Sequence, residues 1–558
     1  MKLEERKHQF FLSNLLCHTN KMNLYMLNIK QKTDKIGFGL AFFSGILLTA
    51  SFPNFELSYL AWISIIPMFY AVYKLDSLGK SPFSYFRIGW IFGMTHFITL
   101  MYWLVHAMSQ YGQLSFFISI PLLLLLCSYL SIYPGLFFLF IRHFYSRPIL
   151  WIFLPVLWVG IEYFRSLSQF ALPWEFLGYT QYRNIKLIQA ADIFGVYGIS
   201  FLIIMVNYFV FLFYIYFIKK DKDFFPQFKS RIIKIGTLVI LMTGAMLIYG
   251  DIKIKQVDEM ISNEKNLNVA VIQGNIDQDQ KWDKSFRIST TKKYIDLSLQ
   301  TKTTKPDLIV WPETAMPFYF EYGKDLKENV ENTAKNLKSC LLTGGLGFSN
   351  SQGSQNYYNS AFLINKKGIL SDVYSKVHLV PFGEYVPFQE YLPFIGILVE
   401  GVGGFSPGEK GSTLSCDNIK FGTLICFEII FPDLSRLMTL NGSKILVNIT
   451  NDAWYGRSSA PFQHFSMVVF RAVENKRPIA RSANTGISGF IDPLGRIMSQ
   501  TQLFVDKAIS QKIPTSNIET TYTKYGDVFA RLCFIISIGI LIWIFIGYIQ
   551  VIKWKNYN

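Results

Sequence analysis

At 558 residues the chain is too long for one ordinary domain. Its composition is 51% hydrophobic, 17% aromatic and only 16% charged, with mean hydropathy +0.27, where a soluble chain carries about a quarter of charged residues; membrane segments are therefore expected. The formal net charge of +16 does not argue for nucleic acid, because many lysines and arginines flank apolar runs, as positive loops on the cytoplasmic side do.

Residues 1–35 are basic and polar, with a short apolar patch at Phe10, Phe11 and Leu12 and no small-residue cleavage site after an apolar core. They read as a cytoplasmic extension, not a signal peptide, and Met22 and Met26 are alternative starts. Seven apolar runs follow, at 36–52, 57–73, 88–108, 114–141, 149–164, 193–218 and 232–250. Crossing the hydrocarbon takes about 20 residues, with about 17 tolerated, so the first and fifth runs stand at the lower limit. Pro121 and Pro134 should kink the fourth. Lys74, Lys80 and Arg87 follow the second run, Arg142 and Arg147 the fourth, and Lys219, Lys220, Lys222, Lys229 and Arg231 the sixth. The loops 53–56 and 109–113 carry no basic residue, an alternation that puts the N-terminus in the cytoplasm and residue 251 on the opposite face.

Residues 251–527 read as a polar α/β domain. Buried strands are expected at 268–273, 308–311, 341–343, 360–364, 423–426, 445–448 and 479–483, with helices at 285–299 and 463–476. Such alternation favours strands covered by helices. An eighth span, 532–552, ends in Lys553 and Lys555, which belong on the cytoplasmic side. The expected architecture is an eight-helix membrane bundle with an α/β domain held between spans seven and eight, against the outer face of the membrane.

Six scattered cysteines show no CxxC and no metal-ligand spacing, so a disulfide framework is not expected, and the seven histidines form no metal cluster. One cysteine stands apart. In Thr423-Leu-Ile-Cys426-Phe-Glu428 a buried strand ends on a thiol where a turn begins. Asp307-Leu-Ile-Val-Trp-Pro-Glu313 is a second strand with a carboxylate just past a proline. In Tyr374-Ser-Lys376 a lysine follows a third strand-like segment. A carboxylate, a lysine and a cysteine at strand ends can make an activated nucleophile: the carboxylate takes the thiol proton, and the ammonium stabilises the thiolate and the developing oxyanion.

That order and these flanks resemble the nitrilase superfamily, whose members use a Glu–Lys–Cys triad on an α-β-β-α sandwich. The resemblance assigns Glu313 as general base, Lys376 as charge stabiliser and Cys426 as nucleophile. The membrane half narrows it. Leu172-Pro-Trp174, Gly178-Tyr179-Thr-Gln181, Gly198-Ile-Ser200 and Asn207 are similar to the transmembrane region of bacterial apolipoprotein N-acyltransferases. Gln273-Gly-Asn275, Lys281-Trp282-Asp283, Pro381-Phe-Gly-Glu384, Asn451-Asp452-Ala-Trp454, Gln463-His464, Asn484-Thr485-Gly486 and Tyr522-Thr-Lys-Tyr-Gly526-Asp527 agree, so the resemblance runs from about residue 36 to the end.

The resemblance implies transfer of an acyl chain from a membrane phospholipid to the amino group of a lipoprotein's N-terminal diacylglyceryl-cysteine. Cys426 would attack the ester carbonyl of the sn-1 chain, leaving a thioester and a lysophospholipid, and the lipoprotein amine would attack the thioester, with Glu313 handling protons in both steps. No cofactor and no metal is implied, and a monomer in the bacterial inner membrane is expected. Glu384 is implied as a second essential carboxylate, with Trp282, Phe427 and Glu428 supporting the pocket. Phe427 stands where the family often has tyrosine, so the position offers an aromatic wall without a hydroxyl. Trp174 and Tyr179 are candidates for lipid contact or for an interfacial aromatic belt. His378 and His464 read as hydrogen-bonded structural residues. Gly401, Gly403, Gly404 and Gly408, with Pro407, read as a lid or a turn-rich connection.

The alternatives are a membrane-tethered nitrilase-type amidohydrolase and a scaffold without chemistry. A tether needs only one helix, and the intact triad weighs against a scaffold. A transporter is excluded by the scarcity of ionisable residues in the spans, Glu162 and His96 being the main exceptions.

Overall fold

The structure, a computed structural model, describes residues 35–144, 150–167, 171–221, 228–281, 283–320, 322–351, 354–385 and 404–557. The apolar runs form helices, as an unbroken run in hydrocarbon must, because only a helix satisfies its backbone within one segment. Among the described residues five helices are long and apolar enough to cross a membrane: Ser58–Asp76, Phe116–Arg142, Val196–Ile218, Phe228–Ser262 and Val528–Ile546. A sixth is counted if Pro82–Met101 and Trp103–Tyr111, bent by 51°, form one span. The first and fifth runs become the helices Lys35–Ala50 and Leu150–Arg165; the latter has 16 residues. At about 1.5 Å per residue such a helix reaches about 24 Å, against about 30 Å of hydrocarbon. Helix length therefore supports five or six spans, short of the eight expected. The helix through Pro121 and Pro134 runs unbroken over Phe116–Phe144. The seventh run does not stop at Gly250: its helix continues to Ser262 and carries the chain into the polar domain.

That domain is a sandwich of two sheets. Its strands are β1 (Asn266–Gln273), β2 (Leu308–Val310), β3 (Met316–Tyr319), β4 (Cys340–Ser351), β5 (Ser354–Ile364), β6 (Leu370–Ser375), β7 (Leu414–Cys416), β8 (Ile419–Ile425), β9 (Ile445–Thr450), β10 (Ile479–Ala483), β11 (Gly489–Ile491), β12 (Ile497–Gln500) and β13 (Lys507–Pro514). One sheet has the order β13-β1-β2-β4-β5-β6, with β3 beside β4; the other runs β12-β11-β10-β9-β8-β7. Each sheet has a parallel centre, β1-β2-β4 in one and β8-β9-β10 in the other. Parallel strands are covered on both faces, which is why they read as nearly continuous apolar runs.

Alternate residues serve the two faces. Val269, Val271, Leu308, Val310 and Leu342 pack in the core shared with Leu424, Leu446 and Val447 of the other sheet. Ala270, Ile272, Ile309, Trp311 and Leu341 pack outward against Tyr294, Val330 and Ala334 of the helices Arg287–Leu299 and Lys324–Leu337. Ser482 Oγ donates to the Ile272 carbonyl at 2.9 Å and ties β10 to β1.

One expectation is overturned. Cys340 on β4 and Cys416 on β7 form a disulfide that links the two sheets, with Cα atoms 6.4 Å apart. Their separation of 76 residues hides the pairing from any spacing rule, since the sandwich alone brings the strands together. The cross-link is worth about 2–4 kcal/mol, so alanine is not neutral at either position.

Candidate active site

Three strand ends meet at the site. Glu313 follows β2, Lys376 follows β6 and Cys426 follows β8, and all three side chains are buried. Two of the turns are tight. Cys426 has φ +53° and Thr314, directly after Glu313, has φ +49°, the left-handed region that non-glycine residues seldom occupy. The Glu313 turn lies against Gly344 of β4, where an added Cβ would come within 2.7 Å of the Glu313 Cα.

The carboxylate of Glu313 is held at both oxygens. Oε2 accepts from the Asn451 backbone N–H at 2.9 Å, and Oε1 accepts from Asn359 Nδ2 at 2.8 Å. Lys376 Nζ lies 3.7 Å from Oε1 and donates to Glu384 Oε1 at 2.8 Å. Burial alone would lower the Lys376 pKa, but the carboxylates of Glu384 and Glu313 outweigh it and hold the ammonium above its ordinary value. Glu384 Oε2 in turn accepts from the Val380 N–H at 2.8 Å.

Cys426 is held as a thiol. Burial pushes its pKa up to about 12, with Glu313 adding to the rise and Lys376 opposing it. A resting thiolate is therefore not what this site keeps. The proton must leave as the sulfur attacks, which requires a base beside it.

The turn bearing Cys426 is braced from two sides. Glu428, fully buried, accepts from the N–H of Ile425 at 2.7 Å and from those of Val377 and His378 at 2.6 and 3.1 Å, while Tyr374 Oη donates to both its oxygens at 3.0 Å. It bolts the cysteine turn to the segment that carries Lys376. Burial raises its pKa to about 7, against the pull of those N–H donors and of Lys376. On the other side the Cys426 carbonyl lies 3.2 Å from His464 Nε2. A carbonyl only accepts, so Nε2 carries the proton and Nδ1 takes the N–H of Arg481 Nη2 at 3.0 Å. Burial and Arg481 lower the His464 pKa and keep the ring neutral. Asp452 is fully buried, yet Arg481, donating at 2.8 Å, and Thr450, donating at 2.9 Å, hold its carboxylate down at about 2. Gly486 is required beside it, because a Cβ there would lie 2.1 Å from Asp452 Oδ2.

Phe427 packs edge-on to Phe431 at 5.2 Å, beside His378. Trp174 and Tyr179 are not on a surface. Trp174 is 2% exposed, in a nest of Trp103, Tyr455 and His464, and donates from Nε1 to Gln463 Oε1 at 2.9 Å. Tyr179 is buried and accepts from Arg471 Nη2 at 3.0 Å. Both face the helix Ala460–Asn475 of the catalytic half. Gln463 of that helix also donates to the carbonyls of Leu100 at 3.2 Å and Pro53 at 3.3 Å, so one side chain docks the α/β domain onto the membrane helices. Trp282, Gly401 and Gly403 lie outside the described residues. Gly408 donates from its backbone to the Lys376 carbonyl at 2.8 Å, and the Phe405 N–H to that of Glu384 at 3.1 Å, which binds this segment onto the site.

Two residues escape sequence reasoning. Asn359 on β5 bridges Glu313 and Glu384, and nothing in its local pattern marks it out. Lys281 is 1% exposed and donates to the Glu313 carbonyl oxygen at 3.0 Å. Burial lowers its pKa to about 8, with Glu313 and Cys426 opposing the shift. The one signal for Lys281 is its place in the motif beside Trp282.

The membrane half and the α/β half each match a family model. Residues 44–209 match the apolipoprotein N-acyltransferase N-terminal domain, and residues 268–523 match the carbon-nitrogen hydrolase family. The apolipoprotein N-acyltransferase of Geobacter metallireducens is 42% identical over 496 residues, covering 88% of this chain and 92% of that protein. This chain belongs to the apolipoprotein N-acyltransferase family. The Haemophilus influenzae member is 29% identical over 514 residues, covering 91% of this chain and 94% of its own length. With such coverage and its apolar helices the protein is a membrane-bound acyltransferase, and its two halves align with the relatives nearly end to end.

Proposed function

We propose that this protein transfers an acyl chain from a membrane phospholipid, through a thioester on Cys426, to the α-amino group of the N-terminal S-diacylglyceryl-cysteine of lipoproteins. The observation that carries the reading is a buried thiol at a left-handed strand-end turn, with a carboxylate and an ammonium at two neighbouring strand ends, in a domain docked onto membrane helices.

In the first half-reaction Glu313 takes the thiol proton as the sulfur attacks the ester carbonyl. Lys376, charged because Glu384 and Glu313 face it, stabilises the tetrahedral oxyanion, assisted by a backbone N–H near Phe427. Collapse breaks the ester C–O bond, and the proton passes from Glu313 to the departing glycerol oxygen, giving a lysophospholipid and the thioester. In the second half the lipoprotein amine attacks the thioester and gives its proton to Glu313. The C–S bond breaks, and the thiolate recovers that proton. This ping-pong sequence consumes no net proton and invokes only side chains of one chain, which supports a monomer without a cofactor. The relatives' names support the lipoprotein acceptor.

The domain layout follows the same reading: residues 1–35 as a cytoplasmic extension, 36–250 as the membrane domain, 251–527 as the catalytic domain, and 528–558 as the last span and cytoplasmic tail. Loop charge supports placing the catalytic domain on the periplasmic side of the inner membrane. The Cys340–Cys416 disulfide supports it independently, because such bonds persist on the oxidising side. Acid-quenched cells, denatured and alkylated before and after reduction, should yield both cysteines only after reduction. Free thiols at both positions would place the domain in the cytoplasm.

The function is tested by mass spectrometry of lipoprotein N-termini in cells with and without this protein. The α-amino group should be acylated only in its presence, and an unchanged N-terminus would reject the reading. The chain is thereby distinguished from an amidohydrolase, which would leave that amine untouched.

A further inference from the structure

We propose that Asn359 is a positioning residue for the acyl transfer: its amide gives one N–H to Glu313 and the other to Glu384, and so holds the two carboxylates side by side as acceptors. The inference rests on the reading of Glu313 as general base.

Asn359 Nδ2 lies 2.8 Å from Glu313 Oε1 and 2.8 Å from Glu384 Oε1, so the two oxygens stand within two hydrogen-bond lengths of each other. Ionised carboxylates only accept, so the amide orientation is set by chemistry: a flipped side chain would set its oxygen against two others. Its two N–H groups match two acceptors. Its own Oδ1 is buried and has no hydrogen-bond partner among the described residues, a cost that an asparagine serving only to pack β5 has no reason to carry.

Two carboxylates brought to one site repel each other unless donors stand between them. Without those donors, a proton taken up to relieve the repulsion would occupy the base that must deprotonate Cys426. Lys376 contacts the same two oxygens from the other side, at 3.7 and 2.8 Å, but one ammonium faces two anions. The other charged or titratable groups around this pair are Lys281, bonded to the Glu313 backbone, Tyr455, which faces Glu313 and Cys426, and Cys426 itself, with Asp452 beyond it paired to Arg481. Glu428 is spent on backbone N–H groups. Asn359 therefore supplies the neutral pair of donors that lets both glutamates stay acceptors.

The test uses full-length protein in phospholipid nanodiscs, with the rate of acyl adduct formation on Cys426 followed by intact mass from about pH 5 to about pH 9. Asn359→Leu should slow adduct formation about 10²-fold at neutral pH and recover toward the wild-type rate as pH rises, because the proton that the uncovered pair takes up is then lost. Asn359→Asp, nearly isosteric and so able to fold, adds a third carboxylate; its acid limb should move to still higher pH. Variants that keep the wild-type rate, or that lose the same factor at every pH, would overturn the inference, since mere packing loss has no pH signature. Wild-type protein that forms no Cys426 adduct would instead remove the triad reading itself.

Discussion

Cys426→Ala is expected to leave a protein that inserts and folds but forms no acyl adduct, a loss of at least about 10⁴-fold in transfer. The fold should survive because alanine keeps the Cβ that already tolerates φ +53° at this turn, and the sulfur alone is lost. The bracing contacts are to backbone: Glu428 holds the Ile425 N–H and His464 holds the Cys426 carbonyl. An unchanged thermal midpoint with the Cys340–Cys416 bond intact would establish folding, and intact mass after incubation with phospholipid would read the chemistry. Glu313→Gln should be nearly as severe, since a neutral amide cannot receive the thiol proton from a group held at about 12. Lys376→Met should lose activity and stability together, because it strands two buried carboxylates without a counter-charge, at a cost of about 3–5 kcal/mol. Substantial transfer in the cysteine variant would require another nucleophile.

Wild-type protein given phospholipid and no acceptor should accumulate an acyl adduct on Cys426 that persists for many turnover times. A thioester is an activated acyl group, and a site that excludes water can hold it until an amine arrives. The thiol, its base and its ammonium are all buried. Moving the acyl chain itself supplies little driving force: burying a CH₂ from water is worth about 0.8 kcal/mol, but the chain starts in lipid. What the site must provide is an apolar route without water. Adding a diacylated lipopeptide with a free N-terminal amine should discharge the adduct within a turnover, and the N-acetylated peptide should not. Steady release of fatty acid without acceptor, at the rate of acceptor-driven turnover, would favour the hydrolase.

Much of this protein is written in local pattern. A bilayer demands an unbroken apolar run, so the apolar helices can be read from residue order alone, and the first and fifth runs gave the helices that fall short of a full crossing. Parallel strands buried on both faces leave equally local runs, and β10 matches its expected bounds of 479–483. Glu313 and Cys426 are legible for the same reason, since each is the first polar or reactive residue after such a run. What binds them is not legible. Asn359 meets its carboxylates across 46 and 25 residues of sequence, Cys340 meets Cys416 across 76, and Trp174 meets Gln463 across 289. The burial of Trp174, which residue order left open between a lipid contact and an interfacial anchor, was decided by the same long-range docking. Hydrophobic periodicity constrains which face of an element is covered, but not which polar atoms of distant elements come within 3 Å. That depends on strand register and on how the two sheets and the membrane helices pack, so only the tertiary structure decided it.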